Sequence, residues 1–408
     1  MARTKSPKRP IKPTRTPRSR SRTPRGPTPL SRLRARLDEL DTQLVTVVAE
    51  REKAIEQVAR LKASTDVAVR DLLREQHQLE RLCELATAHN LSAHLVQRLW
   101  GELLEHSLRL QQHHLVDGQN PDLRAKDPVR VAYQGTDGAY SQIAAERYFA
   151  GVRGKLATKG YASFVGMLEA VSTDAADYGM LPVENTTAGS VNEAYDALTS
   201  TELCVVGEEV LRVEHCLLAL GEVDPATIRR VYSHPQALAQ CSVFLSGLKG
   251  CTIESFTDTA MSVERVRNEG DKTHAAVASE RAASLYGLHV IARNIANQKQ
   301  NFTRFMVVSR SPLRFDERIR CKTSLIFSTR HERGALVRCL NVLADQGLNL
   351  TKLEARPRPG SPFEYLFYVD FEGNQESANV QRALGEMRAL ASYWRVLGSY
   401  PAYAARAS

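Results

Sequence analysis

Several features that usually mark an extracellular or membrane protein are scarce in this 408-residue chain. Its seven cysteines (Cys83, Cys204, Cys216, Cys241, Cys251, Cys321 and Cys339) are odd in number and contain no CxxC pair. That argues against a disulfide framework and against a thiolate zinc site. No apolar run approaches the roughly 18 residues of a membrane-spanning helix. Residues 1–29 contain no acid, yet hold three lysines, seven arginines and seven prolines. They lack the apolar stretch of a secretory signal, and proline at that density blocks an amphipathic helix. The expectation is a reducing, cytoplasmic setting.

The formal net charge of +9 would suggest a nucleic-acid or membrane partner, but it belongs to that tail. Beyond residue 29 the chain carries 45 bases against 46 acids, so its body is nearly neutral. The tail has too few apolar residues to build a core and is expected to be disordered. Neither a nucleic acid nor a membrane is expected as a partner.

Glycine and proline are also absent from Leu30 to Trp100, which predicts long helices with few breaks over residues 30–116. Leu33, Leu37, Leu40, Leu44, Val47, Ala54, Val58 and Leu61 form an apolar seam on the first helix, interrupted by Arg51. Lys62 lies 11 residues beyond Arg51, on nearly the same face and roughly 16 Å along the axis. On the next helix Asp71, Arg74 and Glu75 share a face at i, i+3, i+4. On the third, a stripe of Val96, Trp100, Leu103 and Leu104 runs into polar Ser107 and Gln111. One seam charge commonly fixes helix register. So many are costly to bury unpaired, which points to a dianionic ligand inside the bundle.

After Pro128 the texture becomes α/β. Short apolar strand candidates at Val129–Tyr133, Tyr178–Val183, Cys204–Val206, His215–Leu220, Val231–Ser233, Ala275–Ala278 and Phe305–Val308 alternate with helical patterns over residues 128–311. Polar clusters close several of these strands. They are Gly135-Thr-Asp-Gly138-Ala-Tyr140-Ser141, Glu184-Asn185-Thr186-Thr187, Ser233-His234-Pro235-Gln236 with Gln240 a turn later, and Asn301-Phe-Thr303-Arg304-Phe305. Strand-end loops that converge between α/β lobes make a crevice for a small acidic ligand. Residues 320–402 then read strand, helix, strand, strand, helix, strand, a ferredoxin-like order.

Three resemblances give these regions names. Leu33-Arg34, Asp41, Ala49-Glu-Arg51, Leu61-Lys62, Val69-Arg-Asp71, Arg74-Glu75, Ser107 and Gln111 resemble the all-helical chorismate mutase family. The resemblance implies an intertwined homodimer or a higher oligomer, with Arg34 reaching the partner's site. In the rearrangement of chorismate to prephenate it assigns Lys62 and Gln111 to the ether oxygen. Arg34 and Arg51 are assigned to the carboxylates and Glu75 to the ring hydroxyl, with Asp71, Arg74 and Ser107 as further substrate contacts. Residues 129–311 resemble prephenate dehydratase, most specifically at Asn301–Phe305. A two-lobed, periplasmic-binding-protein-like fold is implied. Thr303 is then the donor to the leaving hydroxyl, with Asn185, Glu184, Ser233, Gln240, Ser141 and Arg304 around the substrate. His215 and His234 read as strand-end hydrogen bonders.

Residues 320–402 resemble the ACT domain of phenylalanine-inhibited dehydratases. Gly334-Ala335-Leu336-Val337 matches one effector motif and Glu354-Ala355-Arg356-Pro357 the other, with Asn349 between them and Ala355 where the family usually has Ser. L-Phenylalanine is the implied effector. No metal-ligand spacing or nucleotide fingerprint is present, so no cofactor is expected. Two other readings share parts of this layout. A ligand-sensing transcriptional regulator would need a short helix-turn-helix, where this chain has an unbroken helix of some 30 residues. A mutase fused to a non-catalytic amino-acid sensor would have no use for the Thr303 motif.

Overall fold

The computed structural model describes residues 28–403 except 66, 121–125, 152–153, 359 and 362, and the side chains of 113 and 117. The basic tail predicted over residues 1–29 falls almost wholly outside the described residues. The chain divides into two compact units, Met1–Ala54 and Ile55–Ser408. Helix α1 (Pro29–Ala63) bears out the long unbroken run. In the first unit its apolar seam lies open: Leu33, Leu37, Leu40, Leu44 and Val47 are all exposed.

The second unit opens with the last turns of α1, then α2 (Leu72–Ala88) and α3 (Ala93–Gln119). Asp71 starts α2 by accepting a hydrogen bond from the Arg74 amide at 3.0 Å, which satisfies one orphan donor of the first turn. The α/β region follows. Its first lobe runs β1 (Val129–Gln134), α4 (Tyr140–Tyr148), β2 (Leu156–Tyr161), α5 (Phe164–Ser172), β3 (Tyr178–Asn185), β4 (Gly189–Ser190), α6 (Asn192–Thr199) and β5 (Cys204–Arg212). The second lobe comprises β6 (Cys216–Ala219), β7 (Arg230–Ser233), α7 (Pro235–Gln240), α8 (Ser242–Ser246), β8 (Thr252–Ser255), α9 (Thr259–Glu269), β9 (His274–Ala278), α10 (Glu280–Tyr286) and β10 (His289–Ala292). Strand β11 (Phe302–Ser309) returns to the first lobe. The strand orders are β2-β1-β3-β11-β5, with β4 on β3, and β10-β6-β9-β7-β8.

Two departures from the expected strands have physical causes. Strands β2, β4, β8 and β10 lie outside the expected set; β2, β8 and β10 are edge strands whose residues are exposed or only part-buried, so no long buried apolar run marks them. Strand β5 runs six residues past Val206 because Glu208 and Glu209, which look like a strand end, are buried and ion-paired. Arg109 of α3 lies 2.9 Å from Glu209, and Arg304 lies 2.7 Å from Glu208.

Another buried carboxylate anchors the start of the first lobe. Asp177 takes Lys126 at 2.5 Å and Arg130 at 2.8 Å. Burial opposes its ionisation, but the Arg130 and Lys126 hydrogen bonds win and hold it well below the usual carboxylate range. A depressed folded-state value contributes stability above the unfolded value near 4, lost as pH falls. Asp177→Asn is therefore expected to cost about 1–3 kcal/mol at neutral pH. The gap from wild type should shrink below about pH 4 in urea melts followed by circular dichroism.

The C-terminal region has the predicted βαββαβ order: β12 (Cys321–Thr329), α11 (Ala335–Asp345), β13 (Leu350–Pro357), β14 (Tyr365–Glu372), α12 (Ala378–Leu390) and β15 (Ala391–Pro401). Its antiparallel sheet is ordered β13-β14-β12-β15. One face packs Leu325, Phe327, Val369 and Phe371 on the two helices. The other face does not meet solvent. Ile326, Tyr368, Leu397 and Tyr400 share a core with Leu198, Val205 and Met306 of the first lobe. Arg395 ties the seam further, donating to the Leu203 carbonyl at 2.6 Å.

Candidate functional site

Two of the four polar strand ends expected to converge, Glu184–Thr187 and Asn301–Phe305, meet, joined by Gln240, around Asn185. Its Oδ1 accepts from the backbone amides of Thr187 and Ala188, both at 3.0 Å, and from the Thr187 hydroxyl at 2.6 Å. Those amides can only donate, so the other end of the side chain is the amide nitrogen. It donates to the Phe302 carbonyl at 3.2 Å, to Asn301 Oδ1 at 2.8 Å and to Thr303 Oγ1 at 2.9 Å.

The polarity then propagates. Gln240 of the second lobe must present Nε2 to Thr187 Oγ1 (2.6 Å) and Asn185 Oδ1 (3.2 Å). Its Oε1 accepts from Asn301 Nδ2 at 3.0 Å, which requires the His215 nitrogen at 2.8 Å to carry a proton. Burial pulls His215 below its ordinary pKa, against the Gln240 bond, so the ring is neutral with its proton on Nε2. Its Nδ1 lies 3.2 Å from the Tyr140 hydroxyl. At the far end of this network Thr303 accepts a hydrogen bond at its hydroxyl oxygen, whose own proton can still be donated to a further acceptor.

Sequence reasoning under-read four members of this cluster: Tyr140, Thr187, His215 and Asn301. Asn301 stands inside the most specific motif, and that position was its signal. His215 is the strand-end hydrogen bonder it was read as, but its partner Gln240 lies 25 residues away on another element.

Other predicted crevice residues are placed differently. Arg304 requires correction as a substrate contact. It follows Thr303 on a strand, so its side chain leaves by the opposite face. There it meets Glu208 (2.7 Å), Asp370 (2.5 Å) and Tyr400 (2.9 Å). Burial alone would lower its pKa, but Tyr400, Asp370 and Glu208 hold it well above the ordinary value. Glu184 meets Lys352 at 3.0 Å. The buried Ser233 hydroxyl donates to the Val277 carbonyl at 2.6 Å within the second sheet. Ser141 is buried on the first turn of α4, where its neighbour Tyr140 is the residue that reaches the cluster.

Gly135 and Gly138 admit the second lobe at close range. Gly135 has φ +114°, and a Cβ there would lie 2.8 Å from Asp258 Oδ2. Gly138 abuts Ala282 in the same way.

The helical candidates fall in both units. In the first, Arg34 is exposed, while Arg51 is part-buried and lowered in pKa by burial. In the second, Lys62 donates to the Val69 carbonyl at 2.8 Å. Burial lowers the Lys62 pKa, and Arg74 adds to this against Asp71 and Glu75. Asp71, Arg74 and Glu75 are therefore within electrostatic reach of its ammonium. Arg70 forks onto Glu75 at 2.9 and 3.1 Å. Ser107 and Gln111 are buried on α3, and Gln111 donates to the Ser107 carbonyl at 3.1 Å. The other end of the Gln111 amide is buried without a hydrogen-bond partner, a group that a bound ligand would satisfy.

Of the predicted effector residues, Gly334 caps α11 at φ +69°, with Ala335, Leu336 and Val337 on its first turn. Asn349 is exposed, and its carbonyl accepts from Glu372. Glu354 accepts from Ser190 at 2.6 Å, and Arg356 meets Asp196 at 2.7 Å. Among the described residues no cluster of His, Cys, Asp and Glu could hold a metal ion, and no helix is long and apolar enough to cross a membrane.

Helices with charges set among their apolar stripes, followed by two α/β lobes that meet at an amide and hydroxyl network, fit a two-site enzyme for small acids. Comparison with known proteins says which one. Residues 33–112 match the family model of chorismate mutase type II, and residues 131–313 match that of prephenate dehydratase. The bifunctional chorismate mutase/prephenate dehydratase of Escherichia coli K12 is 40% identical over 373 residues, covering 91% of this chain and 96% of the relative. That of Buchnera aphidicola from Schizaphis graminum is 33% identical over 90% and 95%. Among solved structures, a prephenate dehydratase from Arthrobacter aurescens in complex with L-Phe matches with a TM-score of 0.61 at 27% identity, over 67% of this chain and 90% of that one. The chain belongs to the family of bifunctional chorismate mutase/prephenate dehydratases.

Proposed function

We propose that residues 30–116 rearrange chorismate to prephenate and that the crevice of residues 128–311 converts prephenate to phenylpyruvate. Residues 320–402 are read as an ACT domain that binds L-phenylalanine and inhibits the second reaction. The observation that carries this reading is the directed hydrogen-bond network ending on Thr303. Decarboxylation breaks the bond to the ring carboxylate, and its electron pair flows through the ring, making it aromatic as hydroxide leaves. The protein need only supply a proton donor at the leaving oxygen and keep water out. A threonine hydroxyl is a poor acid in water, but in a closed site an oriented donor stabilises the developing charge.

The first reaction is a pericyclic shift that needs no nucleophile and no general base. Lys62 stabilises charge on the breaking ether oxygen together with Gln111, whose amide must turn from the Ser107 carbonyl to present Nε2, while Arg51 and Arg34 hold carboxylates. The exposed seam of α1 supports a homodimer in which this helix packs on a second copy, with Arg34 of the partner subunit completing the site. The full chain, given chorismate and then prephenate, each with and without L-phenylalanine, should form phenylpyruvate from both. L-Phenylalanine should slow the prephenate reaction. A chain that consumes chorismate but leaves prephenate untouched would refute the crevice assignment.

A further inference from the structure

Asn185 and Thr303 face each other across β3 and β11, and so do their chain neighbours Glu184 and Arg304. Val183 is an extra residue in β3 at this point, since Arg304 pairs with Glu184 and Phe305 with Pro182. The bulge lies immediately beside these two pairs, which are themselves in continuous register. Cross-strand partners share a face and chain neighbours take opposite faces. The two residues that make the crevice donor therefore carry a glutamate and an arginine on their backs.

Both of these charges are held by the C-terminal sheet. Lys352 of β13 lies 3.0 Å from Glu184 Oε2 and also donates to Ser190 at 3.1 Å. Two residues along, on the same face of β13, Glu354 accepts from the Ser190 hydroxyl. Ser190 in turn pairs with Glu184 in the sheet. Asp370 of β14 and the Tyr400 hydroxyl of β15 hold two nitrogens of Arg304, while Glu208 holds the third and also takes Lys322 of β12. Arg304 is only 12% exposed, so its guanidinium depends on these partners in place of water.

We infer that Glu184 and Arg304 are positioning residues, through which the C-terminal sheet sets the Asn185–Thr303 geometry and by which an effector bound to that sheet switches the crevice. The inference rests on the reading of Thr303 as donor and of residues 320–402 as the effector domain. It accounts for two motif residues that touch nothing in the crevice. Packed strands shift as units, and a donor displaced by about 1 Å loses on the order of a hundredfold in rate. A small movement of β13 and β14 on binding an amino acid would reach Asn185 and Thr303 through one ion pair each.

The test uses the full-length enzyme with Lys352→Gln, Asp370→Asn and the exchanged pair Glu184→Lys/Lys352→Glu. For each, mutase turnover, dehydratase kcat and KM, L-phenylalanine binding by calorimetry, and inhibition are measured. The single variants should lose about tenfold or more in dehydratase kcat with KM changed by less than about threefold. Mutase turnover should hold, and L-phenylalanine should still bind while inhibiting less. The exchanged pair should recover most of the kcat lost in Lys352→Gln. Wild-type kcat with undiminished inhibition in both single variants would overturn the inference. If Asp370→Asn does not fold, the exchanged pair decides, because Glu184 is partly solvent-exposed. Failure of the underlying reading looks different: wild type would then neither bind nor respond to L-phenylalanine.

Discussion

Thr303→Ala is expected to lower phenylpyruvate formation from prephenate by about a hundred- to a thousandfold in kcat, while chorismate turnover stays unchanged. Proton direction decides the effect. Asn185 is locked by two backbone amides on one side and a backbone carbonyl on the other, so its nitrogen must donate to Thr303. Thr303 is thereby left with one proton to give, and in alanine nothing replaces it. Thr303→Ser keeps the hydroxyl and should retain most of the rate. If alanine only loosened the strand, serine would share its defect and KM would rise with the fall in kcat. If both reactions fell together, two separate sites could not be maintained. Assays with chorismate and prephenate on the same preparation distinguish these outcomes.

Much of this arrangement was readable from residue types alone, and the unreadable parts share a cause. Helix α1 was legible because proline and glycine are absent after Pro29 and an apolar seam runs from Leu33 to Leu61. The crevice loops were legible because polar clusters followed apolar strands. What failed was every inference that required knowing what lies on the far side of a strand. Arg304 looked like a carboxylate ligand because the motif is contiguous in sequence. A strand sends neighbours to opposite faces, and its partners Glu208 and Asp370 are 96 and 66 residues away. The expected β5 likewise stopped at Val206, because nothing in the sequence brings Arg109, Lys322 and Arg304 onto the two glutamates that continue it. The boundary near Pro312 is likewise weaker than it looked. A chain ending at Ser311 would expose Val205, Leu198 and Met306, which the C-terminal sheet covers. Point substitutions are therefore the cleaner probe of regulation.

Lys62→Ala should have the second large effect, removing about 3–4 kcal/mol of transition-state stabilisation from the chorismate reaction, or two to three decades in kcat/KM. A pericyclic shift offers few other handles to an enzyme, because no proton moves and no covalent intermediate forms. The charge that grows on the ether oxygen must be met by a cation already in place. Lys62 is such a cation: part-buried, with its pKa lowered by burial and by Arg74, and held by the Val69 carbonyl. That same hydrogen bond closes the turn between α1 and α2, so alanine removes a structural contact along with the charge. Lys62→Gln separates the two. It keeps a donor of similar reach for Val69 and lacks the ammonium, so it should be nearly as slow as alanine with helix content and thermal unfolding like wild type. The lowered pKa adds a further signature. Wild-type mutase kcat/KM should decline on the alkaline side below the range of an exposed lysine, near 10.4. The glutamine variant should lose that limb. Prephenate turnover is the internal control, because the crevice draws no catalytic group from α1. A glutamine variant with near-normal turnover would assign Lys62 to the turn and remove it from the chemistry.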